Sequence, residues 1–258
     1  MSAPADLAAD LPPVLILGAR SDIAMACARR FARAGHPLML AARGGTESGT
    51  EGLQQAAQDL TTRHAVPVTC HAFDATDLDA IPGFLDSLPG LPGVVLCAVG
   101  VMGDQAESQR DPAAAACVIR TNFEGPALVL GALAERLEAR GTGTLIGISS
   151  VAGERGRASN YVYGAAKAGF TAYLSGLRNR LHGTGVRVIT VLPGFVATRM
   201  TEGLDLPARL TAQPAEVAEA VFRACARGRD VVWVRPVWRV IMAIIRALPE
   251  QVFKRTRL

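Results

Sequence analysis

The chain has 258 residues and a mass of 27.0 kDa, with half of its residues apolar and 19% charged, which suits one large domain and rules out general disorder. The net charge is +4, but six of the 27 basic residues (Arg235, Arg239, Arg246, Lys254, Arg255, Arg257) lie at the C-terminal end beside a single acid, Glu250. The rest is nearly neutral, which argues against a nucleic-acid partner, since such a protein spreads basic charge over its folded surface.

The apolar runs alternate with longer helical segments. After a lead-in over residues 1–12, expected to be flexible, Val14 to Leu17 reads as a strand ending at Gly18, followed by a helix over about 22–34 that stops at Gly35. Residues 37–42 form the second strand, and a Gly/Ser/Thr loop leads into a helix near 51–64. Strands follow at 66–73 and 94–99, helices near 112–139, a fifth strand at 145–149 and a helix over 159–182. A sixth strand at 186–192, a helix at 214–227 and a seventh strand at 231–234 complete the pattern. Continuous apolar strands separated by amphipathic helices predict a parallel sheet buried on both faces: a single doubly wound, Rossmann-type α/β domain over 13–235 with a seven-stranded sheet. Residues 236–258 are expected as an amphipathic basic tail.

No uncharged apolar run approaches the ~18 residues of a membrane span. Met1 to Pro13 holds Asp6 and Asp10 and no basic cluster, unlike a secretory leader. The five cysteines (27, 70, 97, 117, 225) are scattered without ligand spacing, as in reduced thiols, so no metal site and a cytoplasmic location are expected.

Gly18 lies between a buried strand and a helix, where a dinucleotide pyrophosphate meets free backbone N–H groups and the positive end of the helix. Arg20, Ser21, Asp22 and Ile23 complete this candidate phosphate loop. The loop lacks the second and third glycines of the usual fingerprint, and Ser21 and Asp22 also read as helix N-capping residues.

A sharper pattern lies in Ile148-Ser149-Ser150 and in Tyr163 and Lys167, which are spaced four apart on the predicted helix and so share a face. A free tyrosine has a pKa of ~10, too high for acid–base work near neutrality. A neighbouring ammonium stabilises the phenolate and moves that value toward working pH. Ser150, at the carboxyl end of a strand, is placed to hold a substrate oxygen while Tyr163 transfers the proton. The bland alternative is a packed tyrosine and a solvated lysine on an ordinary helix.

The set resembles the short-chain dehydrogenase/reductase family over about 13–235. It rests on the Gly18 loop, Asp74 after the third strand, Gly100 after the fourth, Asn122, Ser150, Tyr163, Lys167 and Pro193-Gly194-Phe195-Val196-Ala197-Thr198. The resemblance implies a catalytic set in which Ser150 polarises a carbonyl and Tyr163 is the general acid/base. Lys167 would hold the nicotinamide ribose and lower the tyrosine pKa, with Asn122 on a proton-relay water. It further implies cofactor contacts from Asp74 to adenine and from Val196 and Thr198 to the carboxamide, with Ala98, Gly100, Pro193 and Gly194 lining the same site.

Two departures stand out. Asp22 and Ala24 occupy positions where the family usually has glycine, and Cys97-Ala98-Val99-Gly100 replaces Asn-Asn-Ala-Gly. An acid at 22 would repel the phosphates, with Arg20 and helix capping as the expected compensation.

The second strand ends in Leu40-Ala41-Ala42-Arg43 without the acid that grips a ribose 2′-hydroxyl in NAD enzymes. Arg43 and Arg20 instead suit a 2′-phosphate, which favours NADP(H) and leaves NAD(H) open. Arg235, Arg239 and Arg246 fall on one stripe of an apolar tail helix, the pattern of an interfacial helix on anionic lipid at the inner membrane face. A dimer interface and a substrate-entrance flap are the competing readings.

Val101-Met102-Gly103-Asp104, Ala152-Gly153-Glu154-Arg155, Val232-Trp233 and the hydrophobic-basic terminus resemble the decaprenylphosphoryl-2-keto-erythro-pentose reductase subgroup, which implies a ketone on a lipid-linked or amphiphilic substrate. Arg155 and Arg157 are candidates for a substrate phosphate, against the alternative of solvated loop arginines. The reading is therefore an NADP(H)-dependent oxidoreductase for a ketone or secondary alcohol, as a homo-oligomer, with residues 199–213 covering the substrate. A non-catalytic cofactor-binding sensor and a sugar-nucleotide epimerase or dehydratase are the alternatives.

Overall fold

The computed structural model describes residues 11–44 and 47–256. Seven parallel strands form one sheet: β1 (Val14–Leu17), β2 (Leu38–Ala42), β3 (Val68–Ala72), β4 (Val94–Cys97), β5 (Gly143–Ile148), β6 (Val186–Pro193) and β7 (Val231–Val234). Their spatial order is β3-β2-β1-β4-β5-β6-β7. The order reverses direction between β1 and β4, and open α/β sheets hold their ligands in the crevice beyond the strand ends at such a switch.

Helices cover both faces. On one side lie α1 (Asp22–Arg33) and α2 (Glu47–His64), with α8 (Pro214–Arg227) later in the chain. On the other lie α3 (Ile81–Asp86), α6 (Gly125–Arg140) and α7 (Tyr161–Arg180), while α4 (Gln105–Ser108) and α5 (Pro112–Ile119) lie between α3 and α6 in sequence. Alternation along the strands feeds the two layers. Val14 and Ile16 enter the core beneath α1 and α8, whereas Leu15 and Leu17 enter the core beneath α6 and α7. β3 departs from the expectation of burial on both faces: as the edge strand it leaves Thr69, Cys70 and Ala72 exposed.

Three short helices, α3, α4 and α10 (Glu250–Phe253), have no counterpart in the sequence reading. One turn gives too few residues to show a helical period. The long helical stretch from residue 112 is interrupted by a π-helical turn, Arg120–Glu124.

The first ten residues of the expected flexible lead-in, and the last two of the tail, lie outside the described residues. Pro12, at the end of the lead-in, is held to the body by a hydrogen bond between its carbonyl and His36 Nδ1 (2.9 Å).

The C-terminal helix α9 (Val237–Ala247) differs from the expected basic stripe. Arg235 precedes the helix with a positive φ of 59° and pairs with Glu216 at 3.1 Å, while Arg246 pairs with Glu154 at 3.0 Å. Of the three stripe arginines only Arg239 has no ion-pair partner among the described residues. Arg155 is neither a solvated loop residue nor turned to the cleft. It donates to the carbonyls of Arg246 (3.1 Å) and Leu248 (3.2 Å), pairs with Glu250 (2.7 Å) and lies over the Phe253 ring at 4.1 Å, clamping the end of the chain to the loop after β5.

Candidate active site

Two adjoining cavities of about 560 and 330 Å³ open at the carboxyl ends of the central strands and share Ser21, Ala98, Val99 and Gly100. The smaller is walled by Gly18, Arg20, Arg43, Asp74 and Thr121. The larger is walled by Asp22, Ile23, Asn122, Ser150, Tyr163, Lys167, Pro193, Gly194, Val196 and Thr198. Every catalytic and cofactor candidate read from the sequence therefore lines one continuous cleft, as does Arg157, whereas Arg155 does not.

The loops that frame it are held close. Gly18 has a φ of +78°, and a Cβ there would lie 2.9 Å from the Val99 backbone nitrogen, so glycine alone lets the turn after β1 meet the segment after β4. Ser21 caps α1, its hydroxyl accepting from the Ala24 N–H at 3.1 Å. The arrangement fits a dinucleotide: an elongated two-chamber cleft, a tight glycine approach and the N-terminus of a twelve-residue helix facing it.

The acid at 22 is compensated by a residue other than the one expected. Arg199, not Arg20, neutralises it: the Arg199 N–H donates to Asp22 Oδ2 (2.8 Å) and its Nε to Oδ1 (3.0 Å). A second guanidinium nitrogen reaches the Arg20 carbonyl. The partners are 177 positions apart, which hid them from sequence reading.

On the opposite wall, Ser149 and Ser150 part company. Ser149 is buried, donates to the Lys167 carbonyl at 3.0 Å and bonds Thr171 at 2.6 Å, so it fastens β5 to α7. Ser150 accepts the Ala152 N–H at 3.1 Å and turns its own hydroxyl into the cleft, toward Tyr163. The π-helical turn carries Asn122 inward. Asn122 Nδ2 donates to the carbonyls of Val101 (2.7 Å) and Val118 (2.8 Å), and its buried Oδ1 has no partner. A Cβ on Gly100 would sit 2.7 Å from that oxygen and 3.2 Å from Lys167 Nζ, so the absent side chain keeps a small polar gap open between them.

Lys167 is 4% exposed and donates from Nζ to the Ile148 carbonyl at 3.1 Å. Burial pushes its ammonium down to about 8, with Cys97 acting in the other direction, and the same burial pushes the Cys97 thiol up to about 11. Nζ lies 5.8 Å from the centre of the Tyr163 ring, and both groups face the larger cavity. The tyrosine does not follow the expected downward shift: burial raises its pKa, and the hydrogen bond with Ser150 opposes that rise. Burial favours the neutral phenol over the phenolate, and the hydrogen bond with Ser150 does not reverse this.

Residues to which the sequence reading gave no role in the site complete the cleft, among them Val99, Thr121 and Met102, with Met200 and Leu204 from the segment expected to cover the substrate. Trp238 on α9 supports the site from below. It is 4% exposed, packs against Phe195 edge-to-face at 5.3 Å and donates from Nε1 to the Leu210 carbonyl at 3.2 Å.

A parallel doubly wound sheet with serine, tyrosine and lysine gathered beside a glycine turn defines an oxidoreductase of the Rossmann type. The chain belongs to the short-chain dehydrogenase family, whose model matches residues 13–207. It is 42% identical to an uncharacterised oxidoreductase of Mycobacterium tuberculosis over 246 residues, covering 94% of this chain and 96% of that protein. It is 39% identical to one of Streptomyces coelicolor over 252 residues, covering 95% and 96%. Among solved structures, a short-chain dehydrogenase from Sphingobium yanoikuyae in complex with NADPH is similar at 26% identity with a TM-score of 0.78, over 93% of this chain and 97% of that one.

Proposed function

We propose that this protein is an NADP(H)-dependent reductase of ketones, working reversibly on the corresponding secondary alcohols. The observation that carries the reading is the convergence of Ser150, Tyr163, Lys167 and the unpaired Asn122 Oδ1 on one cleft that continues to Gly18 and Arg43. The NADPH-bound relative supports the choice of cofactor. Arg43 and Arg20 would hold the 2′-phosphate by charge-assisted bonds, Asp74 the adenine end, and Ile23, Val196 and Thr198 the nicotinamide end.

The bound dinucleotide supplies the hydride. Ser150, already accepting from Ala152, would turn its hydroxyl proton from Tyr163 to the carbonyl oxygen and orient it. Tyr163 then gives the same oxygen its phenolic proton as negative charge develops there. Its raised pKa suits a donor that must start protonated. Lys167 stabilises the resulting phenolate and would bond the cofactor ribose. Water bridging Asn122 Oδ1 and Lys167 Nζ would return the proton from solvent. NADPH oxidation over a panel of ketones, lost in Tyr163→Phe while cofactor binding persists, is the test; turnover by that variant would refute the mechanism.

The apolar wall of Val99, Met102, Val151, Phe195, Met200 and Leu204 favours an amphiphilic ketone, including one carried on a lipid. Exposed Val237, Val240 and Ile244 on α9, beside Arg239, support peripheral membrane contact, and liposome flotation lost in Val240→Asp/Ile244→Asp checks it. The groove between α6 and α7, with Leu128 46% exposed beside Gly131 and Tyr173, suits a second copy of the chain.

A further inference from the structure

The described residues hold four buried side-chain polar atoms without a hydrogen-bond partner: Gln105 Nε2, Asn122 Oδ1, Arg157 Nε and Asn160 Oδ1. Three of the four line one cavity, and the fourth lies beside it. Asn122, Arg157 and Asn160 line the larger cavity, and Gln105 accepts from the Val162 N–H (3.2 Å) at the start of α7, next to Asn160. Buried polar atoms are almost always satisfied in a folded protein, so a cluster of orphans along a cleft marks a place where a ligand completes the bonding.

The charges in the cavity narrow the ligand. Three cations line it, and two are committed: Lys167 to the Ile148 carbonyl and its place beside Tyr163, Arg199 to Asp22. The one acid in the wall, Asp22, is the partner of Arg199. Arg157 remains, with its guanidinium in no ion pair or hydrogen bond among the described residues and its position fixed by the turn in which Asn160 N–H donates to its carbonyl at 3.0 Å. Desolvation already lowers its pKa, the mark of a cation held in place without a counter-charge. Arg157 lies between Ser150 and Tyr163 in the chain and lines their chamber, not the neighbouring chamber of Gly18, Arg43 and Asp74, which puts it with the reacting groups and away from the 2′-phosphate end of the cofactor.

Resting on the reductase reading, we infer that the natural substrate is an anionic carbonyl compound: a ketone with an apolar body and a carboxylate, sulfonate or phosphate group that Arg157 binds, Asn160 completing the polar contacts. A guanidinium takes such oxyanions through paired N–H donors, and neutral ketones would leave the charge unanswered.

The test uses the full chain loaded with NADP⁺, in which a ketone binds without being reduced. Calorimetric titration compares straight-chain keto acids, keto sulfonates and keto phosphates with their neutral esters or alcohols, in wild type, Arg157→Gln and Arg157→Lys. The expected result is about 10- to 100-fold tighter binding of the anion than of its neutral counterpart in wild type. That ratio falls toward one in Arg157→Gln and is partly restored by Arg157→Lys, with NADP⁺ affinity and thermal stability unchanged. Equal affinities for anionic and neutral members, a ratio that survives Arg157→Gln, or a loss confined to NADP⁺ binding would each overturn the inference. The reading of the site as a reductase fails separately, if Tyr163→Phe turns over or no ketone is reduced. Which anion binds best separates a phosphate carried on a lipid from a small soluble acid.

Discussion

Trp238 offers the most direct check on whether the C-terminal helix belongs to the active site. Removal of a buried indole typically costs ~3–5 kcal/mol. At 4% exposure, with the bond to Leu210 and the edge contact to Phe195, Trp238→Ala should cost about 4 kcal/mol in denaturant unfolding. Its partner in the cycle is Gly194, where a Cβ would sit 2.0 Å from indole Nε1 and Cε2. Its φ lies outside the positive region, so the backbone accepts alanine and the cost of Gly194→Ala is steric overlap, about 3 kcal/mol at the upper end of overpacking. In the double variant the space left by the indole takes the methyl group. The pair should then cost no more than Trp238→Ala alone, a coupling of roughly 2–3 kcal/mol by double-mutant cycle. Urea unfolding of the four proteins, with unchanged slopes, measures it. Additivity within about 0.5 kcal/mol, or a Trp238→Ala cost under about 1 kcal/mol, would mean that α9 is a detached tail and that the floor of the substrate cavity is built from something else.

Three further outcomes follow from the charges of the cleft. Arg43→Ala should raise the Michaelis constant for NADPH about tenfold or more and leave that for NADH nearly unchanged; equal effects on both would remove Arg43 from the 2′-phosphate. Arg199→Ala should change stability by only about 0–1 kcal/mol, since the pair is 70% and 30% exposed, yet weaken NADPH binding, and Asp22→Gly added to it should restore that binding. Fluorescence titration of NADPH with the two variants decides this. Lys167, held down to about 8 from its ordinary 10.5, binds fewer protons in the folded than in the unfolded chain between those values. Wild-type stability should therefore rise relative to Lys167→Met as pH goes from about 8 to 10.5, and parallel melting curves over that range would contradict a buried lysine.

What the sequence disclosed and what it withheld divide along a physical line. The sheet was legible because its strands are short apolar runs such as Val14-Leu15-Ile16-Leu17 and Val94-Val95-Leu96-Cys97, each ended by a turn. Tyr163 and Lys167 were legible because four residues make one helical turn, and Ser150 because it ends a strand. The partner of Asp22 was not, since Arg199 reaches it only through tertiary folding. Nor was the π-helical turn that aims Asn122, because no residue pattern marks one extra residue in a helical turn. The tail misled for a related reason. Helical spacing set Arg235, Arg239 and Arg246 on one stripe, but Arg235 lies outside the helix and Glu216 and Glu154, from distant segments, take up two of the charges.

The pairing of Asp22 with Arg199 links the two halves of the cleft. Asp22 opens α1, at the end of the turn that faces a dinucleotide, whereas Arg199 begins the segment whose Met200 and Leu204 wall the substrate chamber. That segment is tied back at its far end, where Val196 bridges Ala212 and Trp238 holds the Leu210 carbonyl. With the segment seated, the carboxylate is neutralised; were it displaced, a bare negative charge would face the phosphates. The expected consequence is that seating of the substrate wall and binding of the phosphates favour each other, by linkage by the same factor, so Arg199→Ala should weaken both. A glycine at position 22 would have removed the repulsion and the coupling together. The acid keeps a use for Arg199 that the usual glycine pattern does not require, and it ties the wall of the larger chamber to the turn that faces the cofactor.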